Sequence, residues 1–285
     1  MECLYRTFRF VLALSCALVV GACSGSSPST PSPTPQPVPT PTPTPTPTPN
    51  APPTIKSLAS NSPRVEADEE VTLTAVVEDA ETPVDQLTYE WSAKPVNGSF
   101  TGTGRQVKWK SPHLQNTPDV YTITLTVTEN YTQNGQSQQN KTSSSVDVHY
   151  NDSYREMTTL GMRFLTKLFP DFSISADQAV QDFSDSCTGK ADEHSDVANN
   201  RLNFHILSGT YNISSIDLNA DKTTGRTDGT CVFHDIPTST GKEEIVTGTC
   251  HLTFVYEKWQ WYLCTSSYTG ISVGTASVMR PFARP

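Results

Sequence analysis

Proline occupies every second position from Pro41 to Pro49, with threonine between. Proline fixes φ and has no amide hydrogen, so such a run cannot enter the interior of a helix or a central strand. We expect residues 23–53 to form an extended polyproline II linker that rises about 3.1 Å per residue. The repeat therefore separates a short front segment from a folded part that begins near Thr54.

The front segment, residues 1–22, has the pattern of an export signal. Arg6 and Arg9 precede an apolar run from Phe10 to Val20. That run has the length of a signal-peptide core and is too short to cross a bilayer as a helix. We therefore predict that residues 1–22 are a signal peptide.

The residues Val20-Gly21-Ala22-Cys23 resemble the lipobox of bacterial lipoproteins. The resemblance implies cleavage before Cys23 and acylation of that cysteine, which would anchor the protein to a membrane of the cell envelope. By the family's sorting rule, Ser24 after the cysteine implies the outer membrane, with the periplasmic and surface faces both open. The alternative is an ordinary signal or an uncleaved anchor with an unrelated cysteine.

The formal net charge of −9 argues against nucleic acid as a partner, because nucleic-acid binding needs a basic surface. It also argues against a protein that lies flat on an anionic membrane surface. We expect an envelope protein or a glycan as the partner, and we expect no cofactor.

Four cysteines remain after Cys23, and all lie in the C-terminal part. An even number in an exported domain predicts two disulfides, whereas zinc sites usually contain a close C-x-x-C pair that is absent here. Three pairings are possible. We favour Cys231–Cys250 across a hairpin turn at Thr240-Gly241, together with Cys187–Cys264.

Residues 54–150 alternate between apolar and polar side chains, with turn residues between the runs. This pattern predicts an all-β sandwich. The segments resemble the PKD-like and related immunoglobulin-like domains of bacterial surface proteins, which implies a spacer or a binding module. Their Gly-Asp-Gly turn is missing after Trp91. The segments that carry the resemblance are Pro53–Ile55, Val71–Ala75, Leu87–Trp91, Val107–Pro112 and Tyr121–Val127.

Two surface features of this domain suggest ligands. The acidic residues Glu78, Asp79, Glu81 and Asp85 could bind calcium through their oxygens, or they could form a solvated turn in which Asp79 bonds to backbone amides. We favour the turn. An exposed aromatic such as Trp109 could bind polysaccharide.

Residues 151–285 change pattern, with helices first and strands afterwards. Apolar residues from Tyr154 to Leu168 recur at helical spacing, Ser175 and Gln178 begin a second helix, and Asp192–Leu202 forms a third. Four strands follow from residue 211 onward. This order predicts an α+β domain with helices packed on a curved antiparallel sheet.

The order of these elements and the hairpin Leu252–Leu263 resemble the nuclear-transport-factor-like, or ketosteroid-isomerase-like, cone fold. Members with activity use Tyr–Asp or His–Asp pairs inside the cone, which implies a small-ligand pocket or acid–base chemistry. Asp192, Glu193, His194 and Asp196 could bind a metal, but we favour a solvated helix start and predict no metal site. The residues that could supply a Tyr–Asp or His–Asp pair are His205, Tyr211, Asp217, His234, Asp235 and His251. The pocket residues that we select are His205, Tyr211, His234, His251 and Tyr262.

No diagnostic catalytic motif is present in the sequence. We therefore favour a lipid-anchored envelope protein that acts as a binding or scaffolding module. A small-ligand-binding or acid–base function of the C-terminal domain, and polysaccharide binding by the sandwich, are the alternatives.

Overall fold

In the computed structural model, which describes residues 49–113 and 115–275, strands make up 55% of the described residues and helices 16%. Twelve strands form three antiparallel or mixed sheets of four strands each. The predicted signal peptide, Cys23 and all but the end of the proline-rich linker lie outside the described residues. Within the described residues, no helix has the length and apolar composition needed to cross a bilayer.

Two of the sheets build the N-terminal half of the described chain. One has the strand order β1-β3-β6-β5 and the other β2-β8-β7-β4. The strands are β1 (Thr54–Ser60), β2 (Arg64–Glu66), β3 (Glu70–Glu78), β4 (Thr88–Lys94), β5 (Ser99–Thr101), β6 (Gln106–Lys110), β7 (Asp119–Gln133) and β8 (Gln136–Asn151).

The two sheets pack against each other through the apolar side chains of the predicted alternation. In β3 every second residue from Val71 to Val77 is buried, and β7 does the same from Tyr121 to Val127. Side chains on alternate positions of a strand share one face, so the two sheets meet through a common core. Trp109 and Tyr121 lie at its centre with ring centroids 4.9 Å apart, and neither side chain is exposed.

Trp109 therefore has no surface to offer to a polysaccharide, and the hypothesis of a glycan platform at this residue is wrong. The acidic loop is also explained locally. The Asp79 Oδ1 atom accepts hydrogen bonds from the backbone amides of Glu81 and Thr82 at 3.0 and 2.6 Å. Asp79 thus bonds to the backbone of its own turn, as expected for an Asx turn.

The C-terminal half consists of one sheet with the strand order β12-β11-β10-β9 and several short helices. A π-helical turn at Phe164–Leu168 directly follows the first helix. The elements are α1 (Ser153–Arg163), α2 (Ala176–Ala179), α3 (Gly189–Asn203), β9 (Phe204–Leu218), β10 (Thr224–Pro237), β11 (Glu244–Glu257) and β12 (Gln260–Thr275).

The prediction of a helix-packed α+β cone domain is wrong, because the fold is mostly β. Helix α2 has only four residues, whereas β9 begins seven residues before the predicted strand start and β12 extends to Thr275. Helical periodicity located the three helices, but the strand patterns understated the length of the strands. The long strands of a meander, not a helical layer, dominate this half.

Local side-chain caps set the starts of α1 and α2. The Ser175 hydroxyl accepts from the amide of Gln178 and the Gln178 side chain accepts from the Ser175 amide, so the predicted capping box is confirmed. Helix α1 is instead capped by Asp152, whose carboxylate accepts from the Arg155 amide at 3.1 Å. Ser153, the next residue, lies inside the helix and is fully buried.

Two disulfides form in the C-terminal half, as the cysteine count predicts. They are the favoured pairs Cys187–Cys264 and Cys231–Cys250, with Cα–Cα distances of 5.3 and 5.8 Å. The register differs from the simple hairpin that we expected, because Cys231 is opposite Gly248 and Cys250 is opposite Gly229. The bond therefore joins diagonal neighbours on one face of the sheet.

A buried polar network joins the two halves. The Arg64 guanidinium lies 3.5 Å from the centre of the Tyr256 ring and donates to the Ser153 hydroxyl at 2.8 Å. Glu66 pairs with Arg64 and accepts from the Ser153 amide at 3.0 Å, while the Trp261 indole donates to the same Ser153 hydroxyl at 2.8 Å. Because buried polar groups are costly without partners, the two halves stabilise each other here.

A second buried carboxylate lies within the sandwich. Glu129 is fully buried and accepts from Thr82 Oγ1 at 2.5 Å, Asn50 Nδ2 at 2.6 Å and Asn140 Nδ2 at 3.2 Å. Burial alone raises the pKa of a carboxyl group. Here the three hydrogen bonds outweigh burial and lower the pKa of Glu129.

Candidate functional site

A cavity of about 460 Å³ lies between helix α3 and the inner face of the C-terminal sheet. All four strands contribute to its wall, near the turn that joins β10 to β11. The lining residues are Phe169, Glu193, Asp196, Asn200, Phe204, Ile206, Cys231, Phe233, Asp235, Glu244, Val246, Gly248, Tyr268, Ile271 and Val273.

The apolar part of this wall follows from strand periodicity. In β10 the residues Cys231, Phe233 and Asp235 are buried and alternate with less buried neighbours, so all three face the cavity side of the sheet. Ile206 from β9 and Val246 from β11 extend the same face. The Cys231–Cys250 disulfide fixes the centre of this surface, because it links the two middle strands.

Acidic side chains interrupt the apolar wall. Glu193 projects from α3, is 4% exposed, and accepts a hydrogen bond from the Ser266 hydroxyl of β12. Asp235 is 7% exposed, and its Oδ1 atom has no hydrogen-bond partner among the described residues. Asp196 and Glu244 complete the acidic set.

Burial changes the protonation of two of these carboxyls. Burial raises the pKa of Glu193 to about 7. The Ser266 hydrogen bond partly offsets this increase, and the charge of Asp196 adds a smaller increase. Burial also raises the pKa of Asp235, and the nearby charge of Glu244 acts in the same direction. Desolvation disfavours the charged form of an acid. Neither group has the three hydrogen-bond donors that offset desolvation at Glu129.

The five residues predicted from sequence do not converge on this cavity. Tyr211 is 2% exposed, and its hydroxyl donates to Thr227 Oγ1 at 2.8 Å in the core. His205 is exposed beside Phe172, with ring centroids 5.1 Å apart, and His234 pairs with Glu243 at 3.1 Å. Tyr262 lines a separate polar cavity of about 340 Å³ beside Glu156 and Arg163.

His251 has the most elaborate surroundings of the five, but it lies on the opposite face of the sheet. Its Nδ1 atom is 2.5 Å from Asp228 Oδ1 and 3.0 Å from Arg226 Nη2, and its Nε2 atom is 3.0 Å from Thr269 Oγ1. The arginine can only donate, so Nδ1 cannot bond to both neighbours in one tautomer. The lining of the α3 cavity does not include His251.

The alternative metal site on α3 is not assembled. Glu193 turns into the protein, whereas His194 pairs with Asp177 at 3.2 Å. Within residues 49–113 and 115–275, no three His, Cys, Asp or Glu side chains form a group that could hold a metal ion.

No family model matches this chain, and no curated protein matches it either. Among solved structures, the chain is similar to the intermembrane space region of chloroplast protein ARC6, with 12% identity and a TM-score of 0.30. The matched part covers 40% of this chain and 95% of that chain. At this TM-score the likeness carries no weight for fold or function.

Sequence reasoning named Asp235 only as an isolated acid–base candidate and Glu193 only as part of a possible metal group, and it missed the apolar wall that both residues line. The sequence did contain a signal for Asp235. On a strand that was predicted, Asp235 occupies the same alternate positions as Cys231 and Phe233 and therefore lies on their apolar face. A carboxylate on the apolar face of a strand is unusual and points to a partner or a ligand. For Glu193 no such signal existed, since its neighbours in α3 are mostly polar.

Proposed function

We propose that this chain is a lipid-anchored bacterial envelope protein that binds a small, mostly apolar ligand in the α3 cavity. The observation that carries the proposal is the cavity itself, with its volume of about 460 Å³ and its wall of aliphatic and aromatic side chains. Cavities that bind small molecules usually measure about 300–1,000 Å³ and combine apolar walls with a few polar groups. This cavity has both properties.

The envelope location is supported by three features of the chain. The lipobox-like residues before Cys23 would provide the anchor, and residues 23–53 would provide a stalk. The two disulfides suit an oxidising compartment such as the periplasm or the cell surface. The Ser24 sorting rule favours the outer membrane.

The sandwich has a supporting role in this proposal. We infer a PKD-like or immunoglobulin-like module that spaces the cavity from the stalk and scaffolds it through the Arg64 network. An envelope protein or a glycan could still bind its surface, although Trp109 is buried and cannot take part.

Ligand binding is tested with the chain from residue 24 to residue 285, exported behind a cleavable secretory signal so that no lipid is attached. The probe is the neutral fluorophore N-phenyl-1-naphthylamine. We expect saturable binding, and we expect Val246→Trp to weaken it by at least about tenfold because the indole fills the cavity.

Val255→Trp is the matched control, because Val255 lies on the same strand but on the opposite face from the buried Phe254. It should leave binding within about twofold of the unsubstituted protein. Absence of saturable binding to the unsubstituted protein, or equal loss in both variants, would contradict the proposal.

The anchor is tested separately by mass spectrometry of the mature amino terminus and by fractionation of a Cys23→Ser variant. We expect a diacylglyceryl adduct on Cys23 and loss of the variant from the membrane fraction, because several acyl chains are needed for stable membrane binding. A mature terminus at another residue, or a variant that stays in the membrane fraction, would exclude the lipid anchor.

A further inference from the structure

All of the side chains in the cavity wall that can be charged at neutral pH are acids. Glu193, Asp196, Asp235 and Glu244 contribute carboxyl groups, and no lysine, arginine or histidine of the described residues lines the cavity. Repulsion from four carboxylates disfavours an anionic ligand in such a site, and a cationic group is favoured.

Asp235 supplies the second and more specific observation. Its side chain is more than nine-tenths buried on the cavity face of β10, and its Oδ1 atom has no donor among the described residues. The neighbouring His234 does not help, because it lies on the other face and pairs with Glu243. A buried carboxylate oxygen without a donor destabilises the protein, so a ligand that donates to it would be bound strongly.

Glu193, which projects from α3, is a second carboxyl group in the cavity wall that favours a cationic ligand. It has one hydrogen-bond donor, the Ser266 hydroxyl, and the nearby Asp196 is an acid rather than a compensating cation. Its pKa of about 7 means that a bound cation could shift it to the ionised form near neutral pH.

We propose that the ligand is an organic cation with an apolar body, such as a primary alkylammonium ion, whose ammonium group donates to Asp235 while its chain contacts Phe233, Ile206 and Val246. This inference rests on the proposed function, because it names the chemical class that the same cavity binds. A charge-assisted hydrogen bond in a buried site is stronger than a neutral one. The geometry thus distinguishes amines from fatty acids and from neutral alcohols of equal length.

Isothermal titration calorimetry with residues 24–285 tests the class directly. Three probes of equal chain length are compared below their aggregation concentrations: decylammonium, decanol and decanoate. We expect decylammonium to bind at least about tenfold more tightly than decanol, and we expect no measurable binding of decanoate.

Asp235→Asn removes the charge without removing the side chain. We expect it to weaken decylammonium binding by about tenfold while decanol binding changes by less than about twofold. Asp217→Asn is the matched control, because Asp217 is an exposed carboxyl on β9 outside the cavity. It should leave all three affinities unchanged, and the retained decanol affinity of Asp235→Asn reports that the cavity is intact.

The two proposals fail in different ways. If none of the probes binds, the ligand-binding function itself fails. If decanol or decanoate binds as tightly as decylammonium, the cavity binds apolar ligands but the cationic class is wrong. Binding of decylammonium that requires removal of residues 276–285, which include Arg280 and Arg284, would also overturn the proposal, because the cavity would then belong to the chain's own basic end.

Discussion

The sandwich and the C-terminal sheet each bury a glutamate, and they treat it in opposite ways. Glu129 in the sandwich accepts three hydrogen bonds from neutral side chains, and its pKa is lowered. Glu193 beside the C-terminal sheet accepts one, and burial raises its pKa to about 7. Buried polar groups in a purely structural core are normally satisfied. Of these two buried glutamates, the one with fewer hydrogen bonds and the raised pKa lies in the C-terminal half.

The apolar cores of the two halves also differ, because one is closed and the other borders a cavity. Ile123 of the sandwich is wholly enclosed between two sheets, whereas Ile206 of the C-terminal sheet lines the α3 cavity. A core that is closed by two sheets leaves no room for a ligand. A sheet that is covered only by short helices can leave a cavity for one. We therefore assign scaffolding to the sandwich and ligand binding to the C-terminal half.

The largest expected effect concerns the C-terminal half alone, because both disulfides lie there and none of the described residues of the sandwich forms one. Replacing Cys187 and Cys264 together with alanine should lower the free energy of unfolding by about 4–5 kcal/mol, because that bond closes a long loop. The Cys231→Ala/Cys250→Ala pair should cost about 3 kcal/mol, because its loop is shorter. The sequence separations are 77 and 19 residues. Urea unfolding followed by circular dichroism measures both values.

The serine variants of the same cysteines serve as controls for the volume of the removed sulfur atoms. If both double variants lose equal stability, loop length does not determine the effect. If neither loses stability, the disulfides do not hold this half together.

The second prediction compares matched isoleucines. Ile123→Ala should cost about 4 kcal/mol, because it leaves a closed cavity in a packed core. Ile206→Ala should cost about 2 kcal/mol, because its side chain already borders open space and less packing is lost. Both are measured by urea unfolding at one pH. Equal losses would mean that the α3 cavity closes in solution.

The smallest and most diagnostic effect is the pH dependence of the two glutamates. The pKa of Glu193 rises from 4.5 to about 7 on folding, so its contribution is fully present below pH 4.5 and is lost as pH rises through 7. We expect Glu193→Gln to become more stable relative to the unsubstituted protein between pH 5 and pH 8, by at most about 3 kcal/mol. Urea midpoints at the two pH values give the change.

Glu129→Gln is the control with the opposite sign. The lowered pKa of Glu129 contributes stability that is present above its ordinary pKa and is lost as the pH falls through the lowered value. The variant should therefore be less stable than the unsubstituted protein at pH 8, and the difference should shrink in acid. The same sign for both glutamates would remove the contrast between the two halves.

The sequence predicted the described elements better than their assembly. Alternation of Val71, Leu73, Ala75 and Val77 identified a strand of the sandwich, and its burial pattern confirms it. The capping box at Ser175 was also local and also correct. The α+β cone failed because element order alone does not fix how much of the domain each element occupies, and because β9 and β12 extend beyond their patterned cores.

The candidate site was less predictable, for a physical reason. The histidines were chosen by chemical type, but strand parity puts His234 and His251 on the face away from the α3 cavity. The cavity is lined by residues more than thirty positions apart, such as Glu193 and Asp235. Such a juxtaposition depends on how α3 packs on the sheet, which periodicity does not encode.

The Arg64 network has a practical consequence for anyone who divides this protein. Cutting the chain after Asn151 would remove the Arg64 guanidinium from the Ser153 hydroxyl and the Tyr256 ring. On the other piece, Glu66 would keep Arg64 but lose the hydrogen bonds that it accepts from Ser153. Each fragment would then expose a surface with unpaired hydrogen-bond donors and acceptors and with aromatic side chains. Replacing one half with an unrelated domain would therefore require new partners for the Arg64 guanidinium, the Ser153 hydroxyl and the Tyr256 ring.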